Sequence, residues 1–190
     1  MTIEDVQVVI TRETTPVTQA GFGLPLIVGA KGTTDYDDLG YCICNTLADV
    51  AALVPAEEDD PGTAGTGVYK IAQKIFAQTP APEKIAVVWL NMTTPETLVA
   101  GLTALMAAGH NDWYFLLSES QTAANVDALA AFAAANGKLY FGSMTNTVLG
   151  TLDDTTLALD RAVILCHKNA ATQYPAEAWV GRCAPELPGS

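Results

Sequence analysis

The sequence predicts an α/β domain: a mainly parallel sheet flanked by helices, preceded by an N-terminal strand pair or arm. Short and nearly all-apolar runs at residues 84–90, 113–117, 139–141 and 161–166 have the composition of strands covered on both faces. Between them lie stretches whose apolar residues recur every three or four positions, as a helix lying on a sheet requires. Strand, helix and strand at this spacing call for right-handed crossovers between parallel neighbours. A chain of 190 residues, 49% hydrophobic and 16% charged, can bury one sizeable core and lacks the composition of an unfolded polypeptide.

Taken in order, Val6, Val8 and Ile10 alternate with Gln7 and Val9 as one face of an amphipathic strand, and the run from Leu24 to Val28 after Gly21-Phe22-Gly23 reads as a buried one. We divide the chain into an arm, residues 1–24, and a core, residues 25–190. Residues 35–40 form a polar turn and 41–44 a brief strand. Thr46-Leu47-Ala48-Asp49 opens a short helix stopped by Pro55. The acidic stretch 57–60, closed by Pro61-Gly62, is a loop. Val68, Ile71, Ala72, Ile75 and Phe76 then mark one face of a helix whose Lys70 and Lys74 turn to water, with Pro80 and Pro82 past its end. Thr94 caps the next helix, Pro95 sits in its first turn, Leu98, Leu102, Leu105 and Met106 line its inner face, and Gly109 ends it. A third helix starts at Ser120 or Thr122, turns Val126, Leu129, Ala130, Phe132 and Ala133 inward, and closes at Asn136-Gly137. Residues 175–182 form a last, short amphipathic helix.

Charge and chemistry exclude several classes. Nine basic against 21 acidic residues give a net charge of −12, which repels phosphate backbones and anionic lipid, so neither nucleic acid nor a membrane surface is an expected partner. The start, Met1-Thr2-Ile3-Glu4-Asp5, has acids where a secretory signal needs a basic segment, and no run is long enough to span a membrane; a soluble, intracellular chain is expected. Gly62 and Gly67 have P-loop spacing, but Val68-Tyr69 stand where the phosphate-binding Lys and the Ser/Thr belong, and Gly21-x-Gly23 lacks the third glycine of a dinucleotide fingerprint. The four cysteines form no disulfide framework, and neither they, the two histidines nor residues 57–60 have metal-ligand spacing. His110 reads as a helix-end contact. His167, after Cys166 at the carboxyl end of a strand, is the best-placed catalytic candidate, although strand neighbours face opposite ways and make a dyad of the two unexpected. Trp89, Trp113 and Trp179 read as core or interface residues. No catalytic, cofactor-binding or metal-binding residue is assigned, and no cofactor is expected.

An acidic α/β domain without an evident active site has the profile of an assembly protein, and the chain resembles the contractile tail sheath proteins of bacteriophages and related tail-like particles. The likeness is carried, in family order, by residues 8–10 with 21–28; by 68–72 leading into Phe76-Ala77-Gln78-Thr79-Pro80-Ala81-Pro82-Glu83-Lys84-Ile85-Ala86-Val87; by Asp112-Trp113-Tyr114 with 129–138; and by Tyr174-Pro175-Ala176-Glu177-Ala178-Trp179-Val180-Gly181-Arg182 before Pro188-Gly189-Ser190. The resemblance implies a subunit that polymerises in stacked rings around a tail tube and contracts to drive the tube through the host envelope. Its implied partners are further copies of itself, the tube protein, and baseplate and tail terminator proteins. Its implied location is the host cytoplasm during assembly and the virion tail when mature. Subunits of such sheaths add terminal strands to their neighbours, and the family usually continues beyond the last matched segment. Val6, Val8, Ile10, Phe22 and Trp179 are the candidate subunit-interface residues, with residues 5–10 serving either as a donated strand or as an edge strand of their own sheet. The alternative is a small acidic α/β enzyme or nucleotide-binding domain with its site at the carboxyl ends of the strands.

Overall fold

The computed structural model describes residues 23–30, 40–53, 67–152 and 159–185, without the side chains of residues 171 and 172. The apolar runs assemble into one six-stranded sheet: β1 (Pro25–Ala30), β2 (Cys42–Cys44), β3 (Ile85–Leu90), β4 (Phe115–Ser118), β5 (Leu139–Met144) and β6 (Ala162–Cys166), in the order β2-β3-β1-β4-β5-β6. Only β2 runs antiparallel, pairing Ile43 with Ala86; β1 pairs in parallel with β3 through Ile27 and Val87 and with β4 through Leu26 and Leu116. The α/β class and the mainly parallel sheet are therefore as the sequence predicts. The five parallel strands have the doubly wound order, with β1, the first of them along the chain, inside the sheet.

Period-two alternation sorts the strand residues onto two cores. Leu26, Val28, Ala86, Val88 and Leu116 face α3 (Pro95–Ala107) and α4 (Ala123–Ala135), which bring Leu98, Leu102, Leu105, Val126, Leu129 and Ala133. On the opposite face, Ile27, Val87, Phe115, Leu117 and Phe141 pack on α1 (Leu47–Leu53), α2 (Gly67–Phe76) and α7 (Pro175–Cys183), through Val50, Ile71, Ile75 and Val180. Each Leu or Ile so buried contributes roughly 1.5–3 kcal/mol of transfer free energy. Phe76 and Met106, expected inside, are half-exposed at the ends of their stripes. The short helices α5 (Asn146–Leu149) and α6 (Ala170–Gln173) were not expected, and β5 runs three residues beyond the predicted strand.

Helix ends follow local chemistry. Asp49 accepts from the Asn45 and Thr46 N–H groups, both at 2.9 Å, while Thr46 Oγ1 accepts from Asp49 N–H, closing the first turn of α1. Thr94 and Thr97 form the same reciprocal box on α3. Both long helices end in a Schellman turn: Gly109 N–H donates to Met106 and His110 N–H to Leu105, and Gly137 and Lys138 repeat the pattern on Ala134 and Ala133. Gly109 and Gly137 take the left-handed backbone these turns need, at φ of 93° and 67°; Asn136 does not. Residues 6–10, the loop at 57–60 and the glycines of 62–65 lie outside the described residues.

Candidate functional site

The chain reverses direction across the sheet between β1 and β4, and the carboxyl ends of these strands form the crevice where doubly wound proteins bind ligands. Here a protein group fills that place. The Glu119 carboxylate accepts from Ala30 N–H at the end of β1, Glu119 N–H donates to Val28 at 3.1 Å, and a Cβ on Gly67, the first residue of α2, would collide with the Glu119 side chain. A carboxylate beside the amino end of α2 is favoured by the helix dipole, as a ligand phosphate would be, and it repels any anion approaching the same point. On the other side of the crevice, Asn125, nearly buried, donates to Ser120 Oγ at 2.8 Å and to the Met92 carbonyl, while Ser120 N–H donates to Ser118 Oγ. These polar residues are tied to one another.

A second polar cluster lies under α7. Ser143 on β5 accepts from Ala176 N–H at 3.0 Å and donates to Glu177, so a hydroxyl from the sheet caps the helix. Glu177 is 1% exposed, and its other oxygen has no hydrogen-bond partner among the described residues. Burial pushes its carboxyl up to about 7, partly opposed by the Ser143 hydroxyl and by its own N–H. Tyr174 precedes the helix in left-handed backbone; its phenol is pushed up to about 12 by burial, then by Glu177 and Glu119. On the opposite face of β5, Tyr140 is fully buried, its hydroxyl has no hydrogen-bond partner among the described residues, and its phenol is raised further, again by burial first.

Histidine chemistry is not gathered into a site. His110 supplies its N–H and C=O to the turn after α3 and stacks its ring on Tyr41 at 4.2 Å; Tyr41 in turn donates to Asp112 at 3.1 Å. His167 N–H continues the β5–β6 ladder onto Met144, and its Nδ1 accepts from Asn169 N–H at 3.1 Å, holding the turn into α6. The Cys166 thiol is spent on Asn146 Oδ1 and forms no pair with His167. Among the described residues, no three His, Cys, Asp or Glu side chains come together as a metal set, and no helix is long and apolar enough to cross a membrane.

The tryptophans divide. Trp113 is fully buried, donates to the His110 carbonyl and carries Lys138 Nζ 4.5 Å above its ring; Lys138, lowered by burial, donates to the Asn111 and Trp113 carbonyls. Trp89 packs against Gly29 and Gly40. Trp179 on α7 is 50% exposed and meets Phe141 edge-on at 6.4 Å. Of the interface candidates, Trp179 is thus an exposed aromatic on the β6 side of the molecule, and Val6, Val8, Ile10 and Phe22 lie outside the described residues.

Beside Trp179, among the described residues, the sheet ends in β6. Its sequence, Ala-Val-Ile-Leu-Cys, is that of an interior strand, yet every residue of it is partly or fully exposed. The Arg161 carbonyl and the His167 N–H face β5, so period two turns the N–H and C=O of Ile164 away from β5. No Lys, Pro or acid interrupts this edge. Compared with models of protein families and with curated proteins, the sequence matches none.

Proposed function

We propose that the chain is a structural subunit of a contractile tail sheath, or of the sheath of a related tail-like particle, that polymerises around a tail tube and contracts to drive it through a host envelope. The observation that carries this reading is the apolar β6 edge, unpaired on its outer side among the described residues, with exposed Trp179 beside it. Such an edge suits strand addition from a neighbouring subunit, in which backbone groups supply affinity and alternate side chains supply register. The alternation of Val6, Val8 and Ile10 suits the donated strand, with Phe22 and Trp179 as apolar anchors at the same contact. Further copies, the tube protein, and baseplate and terminator proteins are the partners of this reading. Its locations are the host cytoplasm and then the tail. Contraction on this reading is an exchange between two subunit packings and requires no cofactor.

The competing reading, an enzyme or nucleotide binder, needs room for a ligand at the carboxyl ends, and the Glu119 carboxylate stands at the point where a phosphate would sit. Sedimentation velocity over a rising concentration series separates the two. The sheath reading expects large, concentration-dependent species that Val8→Pro and Trp179→Glu each disperse. Unchanged association in both variants would overturn the assignment of this interface.

A further inference from the structure

Glu177 stands where α7 crosses β5, with one oxygen on Ser143 and the other unpartnered among the described residues. The polar groups near it are Ser143 of β5, which donates to it, and Tyr174 at the helix start, whose phenol is pushed up by burial and then by Glu177; Tyr140 points to the opposite face of the sheet. On the α2 side, Ile75 and Gln78 press against α7 at Gly181, and β6 brings Val163 and Leu165 to the same core. Lys70 and Lys74 of α2 are half-exposed, and Arg182 of α7 is exposed. The described surroundings of the carboxyl are thus apolar side chains and hydroxyls. Such a site accepts a neutral acid and opposes a carboxylate.

A second feature singles out α7 as the part that yields. The helix is entered through Tyr174, a bulky residue held at φ 46°, a conformation that persists only while the surrounding packing enforces it. The polar contacts that fix the start of the helix to the sheet both run through Ser143, one of them from Glu177 itself.

We propose that α7 is a protonation-controlled latch, docked on β5 and α2 while Glu177 is neutral and released from them when Glu177 ionises. Release uncovers Phe141, Val163 and Leu165 next to the β6 edge, so proton concentration sets how much apolar surface that edge presents. The upward displacement of Glu177 to about 7 by burial places the change near neutral pH.

Hydrogen exchange of the full chain, read by mass spectrometry between pH 5.5 and 9 and corrected for intrinsic exchange, tests this with α4 as internal reference. Protection of α7 relative to α4 is expected to fall at least tenfold between pH 5.5 and 7.5 and to level off above about 8. Glu177→Gln, neutral at every pH and able to keep the Ser143 contact, is expected to hold α7 protected to pH 9. A pH-independent ratio overturns the proposal, as does the same fall in Glu177→Gln. Should the variant fail to fold, the wild-type curve alone decides, because only a fall larger in α7 than in α4 agrees with the latch.

Discussion

Glu177 is the residue whose environment departs furthest from what its chemistry prefers, and it sets the pH dependence of stability. Its folded-state value, about 7, lies above the unfolded 4.5, so the folded chain holds a proton that the unfolded chain has lost. Its stabilising contribution is therefore complete below about 4.5 and lost as pH rises through about 7, up to about 3 kcal/mol at roughly 1.4 kcal/mol per pH unit. Asp49 and Glu96, both lowered by hydrogen bonds at their helix starts, act oppositely and at more acid pH, which sets them apart from the Glu177 window of pH 5 to 7.5. Urea midpoints of the wild type are expected to fall across that window, and those of Glu177→Gln to stay level. Gly181 is the second sensitive residue: a Cβ there would stand 2.6 Å from the Ile75 carbonyl oxygen and 2.7 Å from its Cα, backbone atoms that cannot swing aside. Gly181→Ala should cost about 1–3 kcal/mol in urea unfolding through separation of α7 from α2.

At the scale of elements, local chemistry and packing divide the labour. Thr94→Ala removes a cap and should cost about 1 kcal/mol by thermal unfolding, because the α3 N–H groups it satisfies lose their partner. On β6, Ile164→Pro deletes an N–H that points away from β5, so the fold should survive with a loss of roughly 1–2 kcal/mol of packing while strand addition at that edge is abolished, as seen by sedimentation. The elements themselves were legible in the sequence where a long apolar period met a cap, as in α3, or where an apolar run left no doubt of burial, as in β3. α5 and α6 escaped because four residues carry no period. Glu177 could have been found: it shares the helical face of Val180, Gly181 and Ala184, all buried, so the period already turned an acid inward. Glu119 could not, since only the tertiary meeting of β1, β4 and α2 gives its carboxylate a role.

For the whole molecule, strand order was the part hidden from sequence: the crossovers imply parallel neighbours but not which strand lies inside. The resulting body has a crevice whose expected ligand position is held by its own carboxylate and, among the described residues, an apolar edge strand, β6, unpaired on its outer side beside an exposed tryptophan. A net charge of −12 keeps such molecules apart at low ionic strength, so association through an apolar edge should strengthen as salt screens the repulsion. A light-scattering series from low to physiological salt should show rising mass, and a decrease would mean that attraction between charges drives contact instead. The central claim, a subunit that builds a sheath, is tested most directly by electron microscopy of the concentrated chain at physiological salt. Rings or striated tubes of constant width are the expected result. Dispersed particles of single-domain size at every concentration would contradict it.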